Sequence, residues 1–179
     1  MEARRFLIKN DPVTEFTFNL IKRNNIQEYA LEQLKDSINS QYGLYEGAPC
    51  VNSGPCGNFA YLFYQKWNER FDQKVTISFI MKADSSECYH VLIKLPNDDY
   101  YDGRNSILTK RRLIEVYEKG IYIIDMRDFD YKLLDNMAYG LEREHPRYPN
   151  YSVEKTSKII DYYLNQLKQV LNQNEISTS

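Results

Sequence analysis

Histidine is scarce in this chain: His90 and His145 are the only two in 179 residues. Chemistry that needs an imidazole base therefore has two places to reside. Cysteine is scarce too. Cys50, Cys56 and Cys88 make an odd count, and a chain this long has interior enough not to need a disulfide framework. That usage fits a reducing, cytoplasmic setting. No apolar run approaches the roughly 20 residues of a membrane-crossing helix. The opening Met1-Glu2-Ala3-Arg4-Arg5-Phe6-Leu7-Ile8-Lys9-Asn10 has no apolar core of the secretory kind. Net charge is only −2, so no general electrostatic footprint for nucleic acid is present. No internal repeat, low-complexity tract or linker interrupts the chain, and a single domain over residues 1–179 is expected. Tyrosine is what the chain has in quantity: sixteen, for packing or for lining a groove.

The chain is organised around Gly54-Pro55-Cys56-Gly57-Asn58-Phe59-Ala60. Gly54 and Pro55 cannot continue a regular element. After them Phe59, Ala60, Leu62, Phe63, Trp67 and Phe71 recur at helical spacing, with Gln65, Lys66, Asn68, Glu69 and Arg70 mostly opposite. Cys56 thus falls in the first turn of a buried helix. Unpaired backbone N–H groups and the positive end of the helix dipole favour a thiolate there, and a thiol so placed is a nucleophile near neutral pH.

Strands follow. Val75–Met81 is β-branched and alternating, and Glu87–Leu95 carries His90. Pro96, Asn97 and Asp98 turn the chain into Asp99-Tyr100-Tyr101-Asp102-Gly103, which predicts a hairpin. A three-residue loop at 96–98 sets Leu95 opposite Asp99 and His90 opposite Arg104. Asp102 then lies diagonally across from His90 on the same face. A four-residue loop turns the two to opposite faces.

Gly-x-Cys-Gly-x-x-Ala opening a helix, a strand with Tyr89-His90-Val91, and a next strand ending Tyr101-Asp102-Gly103 resemble the transglutaminase-like branch of the papain-like cysteine enzyme superfamily. The resemblance covers roughly residues 50–105. It implies an α+β fold with a papain-like core, in which the nucleophile helix packs on a small antiparallel sheet with flanking helices. It also implies Cys56 as nucleophile, His90 as general base and Asp102 as the group that orients it. The backbone N–H of Cys56 supplies part of an oxyanion hole, for which Asn52 and Gln41 are side-chain candidates. Gly54, Gly57, Tyr89 and Tyr101 are candidates for contact with substrate. The expected activity is hydrolysis or acyl transfer at an amide through a thioester: peptidase, amidase, deamidase or transglutaminase-like. The family includes members without catalysis, so a silent domain that binds a partner protein is the alternative. The expected partner is a protein or peptide, and neither cofactor nor membrane is implied.

Each residue also has an ordinary structural role. Cys56 can be a small buried hydrophobe, His90 a core histidine bonded to backbone, and Asp102 a turn cap before Gly103. Cys50, Cys56, Cys88 and His90 are four soft ligands, but Cys-x5-Cys with Cys-x-His is not the knuckle spacing of structural zinc, and no metal is expected. The rest of the chain reads as packing elements. A strand or arm spans 3–8, and helices run from Asp11-Pro12 to about Lys22 and from about Ile26 to Ser40. A loop over 41–55 delivers Cys56 and forms a cleft wall. A helix begins at Lys110-Arg111-Arg112, and a strand covers Ile121–Ile124. Asp125, Arg127, Asp128 and Asp130 read as a polar turn, without the glycine and late glutamate of a calcium loop. A loop over 139–152 holds His145, and a last helix runs from Val153 to about Asn172. Usage rich in Asn, Ile, Lys and Tyr adds a compositional reading: a viral or mobile-element protein that acts on a host factor.

Overall fold

The computed structural model describes residues 25–42, 55–82, 88–105, 107–118, 124–138 and 151–178. In chain order the elements are α1 (Ile26–Tyr42), α2 (Cys56–Arg70), β1 (Thr76–Lys82), β2 (Cys88–Lys94) and β3 (Tyr100–Tyr101). They continue with α3 (Lys110–Glu118), β4 (Ile124–Arg127), α4 (Tyr131–Ala138) and α5 (Val153–Thr178). The architecture is mixed, with helices around one antiparallel sheet of strand order β3-β2-β1-β4. No helix among the described residues is long and apolar enough to cross a membrane.

Helix α2 is the centre of the packing. Its Phe59, Ala60, Phe63 and Trp67 are buried between the sheet on one side and α5 on the other, and α1 packs on α5 and adds Leu31, Leu34 and Ile38 to the same core. The strands obey the two-residue period of a pleated sheet. Val91 and Ile93 of β2 join Ile77 and Phe79 of β1 in the core that α2 covers. Leu92 and Ile80 point the other way, into a smaller cluster with Tyr100 and with Leu113 of α3. Outward residues of α2 are tied to α5 by ion pairs: Lys66 Nζ lies 2.7 Å from Asp161 Oδ2 and Arg70 Nη2 2.6 Å from Asp161 Oδ1.

Four helices begin on a side-chain cap. Asn25 accepts from Glu28 N, Thr109 from Arg112 N, Asp130 from Leu133 N and Ser152 from Lys155 N, which satisfies donors that a helix start leaves open. Helix α2 has no such cap; Pro55 precedes it.

Several expectations need correction. Asp125 and Arg127 are not a turn: they belong to β4, paired with Met81 and Phe79 of β1. Asp130 is the cap of α4, a helix the sequence reading did not anticipate because its eight residues hold too short an apolar pattern. Helix α5 runs to Thr178, six residues beyond the expected end. The expected elements over 3–8 and 11–22, and the loop holding His145, lie outside the described residues, as does all of the 41–55 loop except its ends.

Candidate active site

The hairpin between β2 and β3 closes with the three-residue loop. Leu95 N–H donates to Asp99 O at 2.8 Å and Asp98 N–H to Leu95 O at 3.1 Å, and Asp98 adopts φ 65°. A turn followed by a residue in the left-handed region is a common three-residue hairpin closure. Aspartate tolerates that region better than most residues do. The resulting register pairs Ile93 with Tyr101, so Asp102 falls on the face of His90. The ring's Nε2–H donates to Asp102 Oδ2 at 3.2 Å.

Asp102 is held from all sides. Its Oδ1 accepts from Arg104 N at 2.9 Å and Asn105 N at 2.6 Å, and its Oδ2 accepts from Asn105 Nδ2 at 3.0 Å as well as from His90. Burial pushes its pKa up, but these hydrogen bonds and the His90 charge outweigh that, and the carboxyl lies below its ordinary 3.8. Asn105 was not foreseen as part of the site. The signal was present in Asp102-Gly103-Arg104-Asn105, a turn sequence whose second polar side chain can reach back to the first.

Cys56 reaches the same histidine from the opposite layer. Asp102 occupies Nε2, which leaves Nδ1 as the ring nitrogen for the sulfur. The geometry depends on β3 being only two residues long. Leu95 N–H points to β3, and by the strand period so do the N–H groups of Ile93 and Val91. Past Tyr101 there is no strand to accept from Val91 N–H, and the Cys56 sulfur takes that bond. Gly57 N–H, open because α2 lacks a cap, gives the sulfur another. Burial pushes the thiol up, but the His90 bond and charge and these two amides hold its pKa below 9.0. Burial likewise pushes His90 down, while its bonds to Asp102 and Cys56 and their charges raise it from 6.5 to about 10. The shifts of sulfur, ring and carboxyl all run in the direction that favours a thiolate beside an imidazolium held by a carboxylate. All three are buried: Cys56 is 5 % exposed and His90 and Asp102 2 % each.

The strand that carries His90 is irregular there. Ile80 pairs with His90 and Met81 with Cys88, so Tyr89 is an extra residue that bulges from the ladder. Consecutive strand residues normally face opposite sides; a bulge re-aims one of them. Tyr89 and His90 accordingly both touch the ring of Tyr117 from α3. Tyr117 lies on His90 with centroids 5.8 Å apart and planes at 27°, and meets Tyr89 edge-on at 6.1 Å. Burial, with the Asp102 and Cys56 charges, raises the Tyr117 pKa, so the phenol stays neutral. Tyr117 is the second site residue that sequence reasoning missed; nothing local distinguishes it from other helix tyrosines.

The remaining candidates separate. Gly57 adjoins the sulfur, and Tyr89 is 45 % exposed at the outer rim. Tyr101 is a correction: it is buried against Phe59 and Phe63 and its hydroxyl donates to Leu31 O at 3.1 Å, so it is a core residue and not a substrate contact. Gln41 lies exposed in the last turn of α1. Asn52, Gly54 and Cys50 lie outside the described residues. Cys88 donates to His90 O at 3.4 Å. Among the described residues no cluster of three or more His, Cys, Asp or Glu could hold a metal ion. Two clefts walled by described residues, of about 290 and 570 Å³, lie beside Gln27 and Gln73 and do not include Cys56.

No protein-family model, no curated protein and no solved structure matches this chain.

Proposed function

We propose that this chain is a cysteine-dependent hydrolase or acyltransferase with a papain-like, transglutaminase-like core, working through Cys56, His90 and Asp102. The observation that carries the reading is that the His90 ring is engaged on both sides, by a carboxylate with four hydrogen bonds and by a sulfur at an uncapped helix tip. A thiolate–imidazolium pair costs desolvation energy when buried, and a structural cysteine has no need of it.

In this reading the Cys56 thiolate attacks the carbonyl carbon of an amide and forms a C–S bond. The backbone N–H of Cys56 faces the developing oxyanion. His90 gives its Nδ1 proton to the leaving nitrogen, the C–N bond breaks, and a thioester remains. Neutral His90 next takes a proton from water, or from an amine in the acyltransferase variant. The activated oxygen or nitrogen attacks the thioester and the C–S bond breaks to return the thiolate. Asp102 keeps the ring in the orientation with Nδ1 toward sulfur and stabilises its charged form throughout. Hydrolysis or deamidation is the favoured outcome, because water is always at hand.

One observation favours a second reading. The sulfur is 5 % exposed, which suits a silent domain of this fold that binds a partner protein. Iodoacetamide labelling followed by peptide mass mapping separates the two. The catalytic reading expects Cys56 to label faster than Cys50 and Cys88 near neutral pH, and His90→Ala to slow that labelling. Equal reactivity of all three cysteines overturns it and leaves the binding domain.

A further inference from the structure

A catalytic cysteine must be reached by substrate, and Cys56 is only 5 % exposed. The ring that lies directly on His90 is Tyr117. Tyr117 in turn meets the ring of Tyr89, which is 45 % exposed. The helix that carries Tyr117 is lightly anchored. Among the described side chains of α3 the one fully buried is Leu113, which packs on Ile80, Leu92 and Tyr100, while Lys110, Arg111, Arg112 and Val116 are exposed. Elements with few buried apolar contacts open at the least cost in free energy. The bulge at Tyr89 adds an independent sign of purpose, because it is what brings Tyr89 to Tyr117 at all.

We propose that Tyr117, propped by Tyr89, is a removable aromatic cover over the His90 side of the site, and that it must swing aside with α3 before an acyl substrate reaches Cys56. This rests on the catalytic reading above. In the closed position the ring excludes water from the His90–Asp102 pair, which strengthens their interaction. In the open position Tyr89 and Tyr117 form an aromatic rim, so the acyl groups admitted best are those with a flat or apolar side chain beside the scissile bond.

The test compares a small and a bulky alkylating reagent, iodoacetamide and a fluorescein-conjugated iodoacetamide, on Cys56 in the full chain. With Tyr117→Ala the bulky reagent is expected to label at least tenfold faster than in the native protein, while iodoacetamide changes by less than about threefold. Tyr117→Phe keeps the native ratio, and Tyr89→Ala falls between. An unchanged ratio of the two rates in folded Tyr117→Ala overturns the cover. Should that variant not fold by circular dichroism, Tyr117→Leu fills much of the volume without a flat ring and gives the same comparison. The two readings fail separately. If Cys56 labels with the pH dependence of a free thiol in the native protein, catalysis fails, yet the reagent ratio still reports whether Tyr117 covers the sulfur.

Discussion

Replacing Asp102 by asparagine removes one charge and almost no volume, and its effect follows from the donors around it. Arg104 N–H and Asn105 N–H both point at Oδ1, so the amide oxygen of the new side chain is fixed there. Its NH2 group then stands where Oδ2 accepted from His90 and from Asn105 Nδ2. The ring must present an acceptor at Nε2, which puts its single proton on Nδ1, and it can no longer take the Cys56 proton. The sulfur reverts toward an ordinary thiol. At pH 7 a thiol of pKa ~8.5 is only ~3 % thiolate. The more basic thiolate is intrinsically more nucleophilic, with a Brønsted slope of ~0.4–0.5. Together these predict labelling up to about fourfold slower at pH 7, with the deficit growing as pH falls. The variant also leaves a donor facing a donor, for a stability loss of about 2–4 kcal/mol. The assay is the iodoacetamide rate at Cys56 from pH 5 to 9, with Cys88 as internal reference, beside urea denaturation. Labelling in Asp102→Asn with the rate and pH profile of the native protein would refute the argument, because Asp102 would then not govern the state of the ring.

Stability should depend on pH through both members of the buried sulfur–imidazole pair. The stabilisation from lowering the Cys56 pKa is complete above 9.0 and is lost as pH falls toward its folded value. That from raising His90 is complete below 6.5 and is lost as pH rises to about 10. Below 9.0 the two slopes oppose one another, since the proton the sulfur gives up is matched by the one the ring takes. Stability therefore declines as pH rises from 9.0 to about 10, and falls in acid as Asp102 protonates below 3.8; Cys56→Ser, measured by thermal melts across pH, removes the sulfur's opposing slope below 9.0. Asp98→Gly is expected to keep or raise the melting temperature and to leave Cys56 labelling unchanged, because φ 65° suits glycine. Asp98→Val should lower the melting temperature and slow Cys56 labelling together, as a β-branched residue at that angle strains the loop that sets the register. Tyr101→Phe removes the bond to Leu31 O and should cost about 1–2 kcal/mol, with the labelling profile intact; a changed profile would return Tyr101 to the site.

Much of this site was legible along the chain because its parts are local. Gly54-Pro55 breaks the backbone, an apolar stripe follows at helical spacing, and Cys56 stands at the join. Pro96-Asn97-Asp98 is turn chemistry, and the period of two then dictates that Asp102 shares a face with His90 if the loop has three residues. Local rules did not reach Asp125 and Arg127, whose four-residue strand exists because β1 offers an open edge, nor α4, where Asp130 caps eight residues packed on α2.

The sequence alone determined where the chain must turn, which helix is buried and which residue types stand near each break, for these follow from backbone restrictions and apolar period. The tertiary structure decided what those residues touch. Tyr101 and Tyr89 are both tyrosines beside triad members, yet one is buried against Phe63 and the other looks to solvent. Val91 N–H meets the sulfur because β3 ends early, and Tyr117 meets His90 because a bulge turns the strand. Such contacts join positions 27 to 38 residues apart, and no local period encodes them.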